Sequence, residues 1–203
     1  MADKDLDIKQ GKTLSLILRW ESEPIKYKLI TGVSQTAPVR ITVIGHGIPD
    51  GWRCAITNVK GMTELNAEAN AVKDDDYKPI TVVDVDHIEI NEINAAGFKP
   101  YLSGGYVQFN SPVDLTGYVA RMQIKDKVGG AVLASSLVGD APLNIVTLTV
   151  DNVAKTILLA ISATATAAIA WKKGFYEIEM VSPTGVVTAI LSGVVNVTKE
   201  VTT

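Results

Sequence analysis

The side chains that could do chemistry in this chain are few: two histidines, one cysteine and several carboxylate groupings. His46 lies between Gly45 and Gly47, and its only histidine partner is His87, far along the chain with no ligand-like spacing. A metal or general-base role needs converging partners. The ordinary reading of His46 is a side chain that ties down a turn by hydrogen bonding. Asp74-Asp75-Asp76 offers three carboxylates in a row. It lacks the alternating donors, glycine and distal glutamate of a calcium loop. A solvated turn is favoured, with a weak ion site at a subunit junction as the alternative. Asp84 and Asp86 flank a turn and suit backbone-amide capping. Cys54 alternates with apolar neighbours and reads as a small buried hydrophobe. Glu177 and Glu179 share one strand face; paired carboxylates can do acid–base work, but an exposed polar face is the default. Trp52, Phe98 and Tyr101 are the candidate contact residues for a ligand or partner. They form either a sugar-stacking platform or the plug of a small barrel. No serine or cysteine stands in a nucleophile-elbow context, so the expectation is a chain that is not an enzyme and needs no cofactor.

The elements that would position these residues are short and β-like. Leu14, Leu16, Leu18 and Trp20 alternate with Ser15, Ile17 and Arg19, the period of a strand with one buried face. Glu21 to Glu23 and Pro24 are read as its end. Val39, Ile41 and Val43 repeat the pattern, followed by the turn-rich Gly45-His-Gly-Ile-Pro-Asp-Gly-Trp52. Further strands are expected at Arg53 to Val59, Ile80 to Val83, His87 to Ile90 and Tyr106 to Phe109, with a loop or helical turn at Lys60 to Asn66. Short strands with frequent turns indicate a small barrel or sandwich. From Tyr118 the regular alternation returns, through Ile124, Val146 to Val150, Ile157 to Ile161 and Tyr176 to Met180. Val186 to Leu191 and Gly193 to Val197 close the sheet. Ser162 is placed as the N-cap of one short helix, Ala163 to about Trp171, with Lys172 and Lys173 at its C-terminal dipole and Gly174 ending it.

Composition narrows the function classes. The 203 residues are enough for one large or two small domains, and the formal net charge of −3 shows no basic block for nucleic acid. Hydrophobic residues reach 47% and charged residues only 20%, below the roughly 25% of typical chains. That surplus is consistent with surface covered by neighbouring subunits, or with an abundance of alanine and valine. The run from Ile157 to Ala170 is too short and too polar to span a bilayer. The charged start, Met-Ala-Asp-Lys-Asp-Leu-Asp, has no apolar h-region, so no secretory signal is expected. The single cysteine excludes an internal disulfide, and Asn196-Val-Thr198 is read as a chance sequon.

Two sets of motifs carry a resemblance. Gln10-Gly-Lys-Thr13, Pro112-Val-Asp-Leu-Thr-Gly117, Ala120-Arg-Met-Gln123, Ile161-Ser-Ala163, Gly174-Phe-Tyr-Glu-Ile178, Leu191-Ser-Gly193 and Glu200-Val-Thr202 occur in this order. Together they resemble the N-terminal β-sandwich domain of phage baseplate upper proteins, over about half the chain. Between them lie Ile30-Thr-Gly-Val33, Gly45 to Trp52, Gly61-Met-Thr-Glu-Leu-Asn66, and Phe98 with Tyr101-Leu-Ser-Gly-Gly105. These resemble a small β-barrel module of phage tail proteins, related to the first catalytic-cysteine half-domain of ubiquitin-activating enzymes. No adenylate-binding unit accompanies it, and fold likeness does not confer activity.

The resemblance implies an all-β chain: a discontinuous β-sandwich over residues 1–27 and 110–203, and a small β-barrel over 28–109 inserted in its first inter-strand loop. It implies a structural protein of a tailed-phage virion, in the tail, baseplate or fibre-attachment region, made in the host cytoplasm. Its partners would be other virion proteins and copies of itself, with neither nucleic acid nor membrane insertion. The alternatives are a head-decoration or head-fibre protein, and a carbohydrate-binding adhesin that meets a host surface glycan. The strand Val194 to Val201 and the arm before Ile8 are the expected sites of cross-subunit pairing.

Overall fold

The computed structural model describes residues 2–139 and 143–200. The chain is nearly all β, with several sheets in sandwich-like layers and, among the described residues, one short α-helix. It divides into two compact units, Met1–Trp20 with Asp114–Thr203, and Glu21–Val113.

The chain opens with β1 (Ala2–Asp3), β2 (Leu6–Lys9) and β3 (Leu14–Leu18). The contiguous unit follows: β4 (Glu21–Leu29), β5 (Gly32–Val33), β6 (Val39–Thr42), β7 (Arg53–Thr57), β8 (Lys78–Pro79), β9 (Thr81–Val82), β10 (His87–Ile90) and β11 (Tyr106–Pro112). The chain then supplies β12 (Val119–Lys125), β13 (Val132–Ser135), β14 (Thr147–Asp151), β15 (Thr156–Ile161), α1 (Ala163–Ala167), β16 (Lys173–Val181) and β17 (Val187–Thr198).

In the discontinuous unit one sheet runs β1-β17-β16-β12-β13, with β2 also on β17, and a second runs β14-β15-β3. Alternation decides what each strand buries. Leu6 and Ile8, Met122 and Ile124, Tyr176 and Ile178, and Leu191 and Val195 point inward from the larger sheet. They meet Leu159 and Ile161, with Leu14, Leu16 and Leu18 half-buried against the same core. The β3 register, Leu14↔Ile161 through Leu18↔Ile157, places β3 beside β15, more than a hundred residues later.

Three local readings change. Val186 to Leu191 and Gly193 to Val197 are one strand, β17, with a bulge opposite Ile178/Glu179. Gly193 is there for close approach rather than for a break: a Cβ on it would collide with the Lys4 carbonyl. Helix α1 stops at Ala167 and not near Trp171. Ser162 caps it, its Oγ accepting from Ala165 N at 3.2 Å. The two threonines weaken an otherwise alanine-rich stretch, and the Thr166 hydroxyl lies 2.8 Å from the Lys12 carbonyl as well as 2.9 Å from that of Ala163. Lys173 and Gly174 belong to β16. Third, β17 has no free edge from Val195 to Thr198 for cross-subunit pairing, which leaves the N-terminal arm as the outer strand there. β1 and β2 run parallel to it in the same chain, Ala2↔Leu191 and Leu6↔Val195 through Lys9↔Thr198. Val201 and the end of the Glu200-Val-Thr202 motif lie outside the described residues.

The contiguous unit is two four-stranded sheets, β5-β6-β10-β9 and β4-β11-β7-β8, over one core. They do not close into the expected barrel: the edges are β5 and β9 in one sheet and β4 and β8 in the other, and among the described residues no ladder joins them. Val39, Ile41, Ile88 and Ile90 come from one sheet, Cys54, Ile56, Val107 and Phe109 from the other. Residues 21–23, read as a strand end, instead start β4, which pairs with β11 from Glu21↔Pro112 to Leu29↔Tyr106. Pro24 removes no ladder bond because it sits in the irregularity of an edge strand, between Ser22↔Ser111 and Ile25↔Asn110. The unit boundary therefore falls at Trp20/Glu21 rather than at 27/28, and at Val113/Asp114 rather than at 109/110.

Candidate functional site

Trp52 follows the Asp50-Gly51 turn, in which Gly51 takes φ +67°. Its side chain is fully buried in the contiguous unit, and its Nε1–H donates to the Asn110 carbonyl at 3.0 Å. A ring with no exposed face cannot stack on a sugar. Tyr101 and Phe98 are half-buried against the same core. The Tyr101 hydroxyl sits 3.1 Å from both the Ile30 and Gly104 carbonyls, clasping two loops. The three predicted contact residues thus serve one interior and form no open aromatic platform.

The histidines and carboxylates make turn networks. Gly45 and Gly47, both at positive φ, fold His46 inward until it is almost wholly buried. Its Nδ1 accepts from Ile48 N at 3.0 Å and its Nε2 lies 2.9 Å from the Asp84 carbonyl, which fixes the Nε2–H tautomer. Asp84 Oδ1 accepts from Asp86 N at 2.9 Å and faces His87 Nδ1 at 2.8 Å. These bonds, the Asp86 amide first, hold the Asp84 carboxyl below its ordinary range. Asp86 in turn accepts from Gly45 N at 2.8 Å, joining both turns.

The Asp74–Asp76 carboxylates form a single 3-10 turn and point to different partners. Asp74 pairs with Arg53 Nη1 at 2.7 Å, while Asp76 accepts from Lys73 N and Glu68 N. Arg53 also grips Glu21 through Nε and Nη2 at 2.7 and 2.9 Å, and lies 5.5 Å from the Tyr77 ring centre. The Glu21 hydrogen bonds drive the guanidinium pKa further above its usual value. In the discontinuous unit Glu179 accepts from Arg121 Nε at 2.6 Å, so its carboxylate is held by a cation rather than poised beside Glu177.

Cys54 is fully enclosed, and burial pushes its thiol up to about 12. A thiol so protonated and so shielded is inert. Iodoacetamide at about pH 8 is expected to leave Cys54 unmodified in the folded chain and to alkylate it once urea unfolds the contiguous unit, as read by mass spectrometry.

Sequence reasoning missed an exposed face. Tyr27 and Leu29 on β4 and Tyr106 on β11 are 57%, 55% and 41% exposed. The register Tyr106↔Leu29 and Gln108↔Tyr27 puts all three on the outer side of one sheet. The alternation Ile25, Tyr27, Leu29 was its signal, hidden once Pro24 is read as a terminator. No helix is long and apolar enough to cross a membrane among the described residues. No protein-family model matches the chain, and neither does any curated protein sequence.

Proposed function

We propose that the chain is a structural component of a tailed-phage virion, in its tail, baseplate or fibre-attachment region, acting through protein–protein assembly. The observation that supports this reading most is the order of the motifs on the strands. Gln10–Thr13 turns the chain into β3, Ala120–Gln123 lies in β12, Gly174–Ile178 in β16 and Leu191–Gly193 in β17, all in one sandwich interrupted by a second compact β unit. With β17 occupied by the chain's own N-terminal strands, assembly would use the outer edges of β1, β2, β3, β13 and β14 and the apolar faces beside them. An antibody against the purified chain is expected to label intact particles at the tail. Label confined to the capsid would move the assignment to head decoration, and particles free of the chain would overturn the virion reading.

The exposed tyrosines favour a second reading, a carbohydrate-binding adhesin, with the contact face moved from Trp52, Phe98 and Tyr101 to Tyr27 and Tyr106. Tyrosine faces flanked by polar groups suit sugar rings as well as protein. Glycan-array binding that vanished in a folded Tyr27→Ala/Tyr106→Ala variant would establish this reading; a blank array from the native chain would remove it.

A further inference from the structure

The outer face of the β1-β17-β16-β12 sheet carries a groove of about 740 Å³, within the size range of ligand sites. Its floor carries one apolar row, Phe175 and Val194 side by side in the register Lys125↔Phe175↔Val194, with Lys173 Nζ 5.6 Å from the Phe175 ring centre, and one polar row, Gln123↔Glu177↔Ser192. One wall is the β12–β13 hairpin, with Lys127, Val128 and Leu137. The other is the N-terminal arm, with Asp3 and Asp5. Between the walls Arg121 and Glu179 neutralise each other as an ion pair and Glu177 adds one carboxylate, while the two walls carry opposite charge. Lys125 and Lys127 lie on the hairpin side without an ion pair among the described residues, and Asp3 lies opposite, likewise without one. Asp5 accepts from Val194 N at 2.9 Å and so is fixed at the groove's edge.

We propose that this groove binds an extended peptide segment of a partner protein, with an acidic side chain, an apolar one and a basic one at alternate positions. The dimensions set the spacing. From β12 to β1 is three strand steps, about 14 Å. In an extended chain, same-face residues i and i+4 are about 13 Å apart, with i+2 between them. An acid at one end meets Lys125 and Lys127, a base at the other meets Asp3 and Asp5, and the middle residue covers Phe175 and Val194. Glu177 and Ser192, on the same face one row along, can accept from the peptide's backbone N–H groups. A polyanion fits poorly, because it would meet the aspartates. The inference stands apart from the virion reading, since the purified chain suffices to test it.

The probe is a fluorescent acetyl-Ser-Glu-Thr-Leu-Thr-Lys-Ser-amide, compared with analogues bearing lysine, or glutamate, at both charged positions. Anisotropy is expected to show saturable binding of the mixed-charge peptide, about tenfold tighter than either analogue. Lys125→Glu/Lys127→Glu should reverse the order in favour of the double-lysine peptide. Asp3→Lys, on the other wall, should favour the double-glutamate one. No saturable binding, equal affinity for the three peptides, or an order unmoved in both folded variants would overturn the proposal.

Discussion

Trp52→Ala is expected to destabilise the contiguous unit by about 3–5 kcal/mol, the usual cost of emptying a large core site. The indole is wholly enclosed by the cluster around Val39, Ile41, Cys54, Ile88 and Phe109. Its loss also leaves the Asn110 carbonyl without the indole donor, a further penalty of about 1–3 kcal/mol if that oxygen stays dry. Equilibrium urea unfolding, followed by amide exchange in β6, β7, β10 and β11, measures the effect. Protection should fall in those strands and persist in β12, β15 and β16, which belong to the other unit. Uniform loss across both units would mean that they unfold as one. A loss of partner binding in this variant would report a collapsed interior and not a missing contact, which is why Tyr27 and Tyr106 are the informative binding mutants.

Gly193→Val should release the N-terminal arm. A Cβ at Gly193 collides with the Lys4 carbonyl, and that carbonyl accepts the Tyr176 hydroxyl at 2.6 Å. Lys4 N also donates to the Ser192 carbonyl at 2.9 Å. Moving Lys4 away thus unpairs a largely buried phenol whose pKa burial and the nearby Asp3 and Asp5 have pushed up to about 12. We expect a loss of about 2–3 kcal/mol, with proteolysis before Leu6 as the first visible sign. Gly193→Ala should show the same defect more weakly. An unchanged melting temperature with intact protection of Ala2 to Lys9 would contradict the packing described here.

Strands with strict alternation were legible in the sequence because one buried face imposes period two: β3, β6, β10, β12, β14, β15 and β16 all announce themselves this way. β13 did not. Val132 to Ser135 is half-buried on one end and fully buried on the other, so no alternation marks it. Pro24 was misleading because proline stops a central strand but not an edge strand, and edge position is a tertiary fact. The helix end was misplaced for a similar reason: Thr166 is drawn to the Lys12 carbonyl, 154 positions away, which no local pattern encodes. Among the site residues, the aromatic character of Trp52, Phe98 and Tyr101 was visible, but their orientation toward the core was not. The Arg53–Glu21–Asp74 cluster and the sorted charge of the groove arise only when distant strands align.

The pairing of Glu21 with Pro112 in one ladder has a bearing on the order of folding. Closing a loop of some ninety residues costs about 4 kcal/mol in chain entropy. The contiguous unit needs no residue beyond Val113, so a ribosome releases everything it requires long before β17 emerges. Once its ladder zips, β3 and β12 are tethered through a few residues rather than through a wandering coil. The folded nested unit thus shortens the loop its host must close, and deleting it in favour of a floppy glycine–serine linker of equal length should slow refolding of the sandwich more than it lowers its final stability.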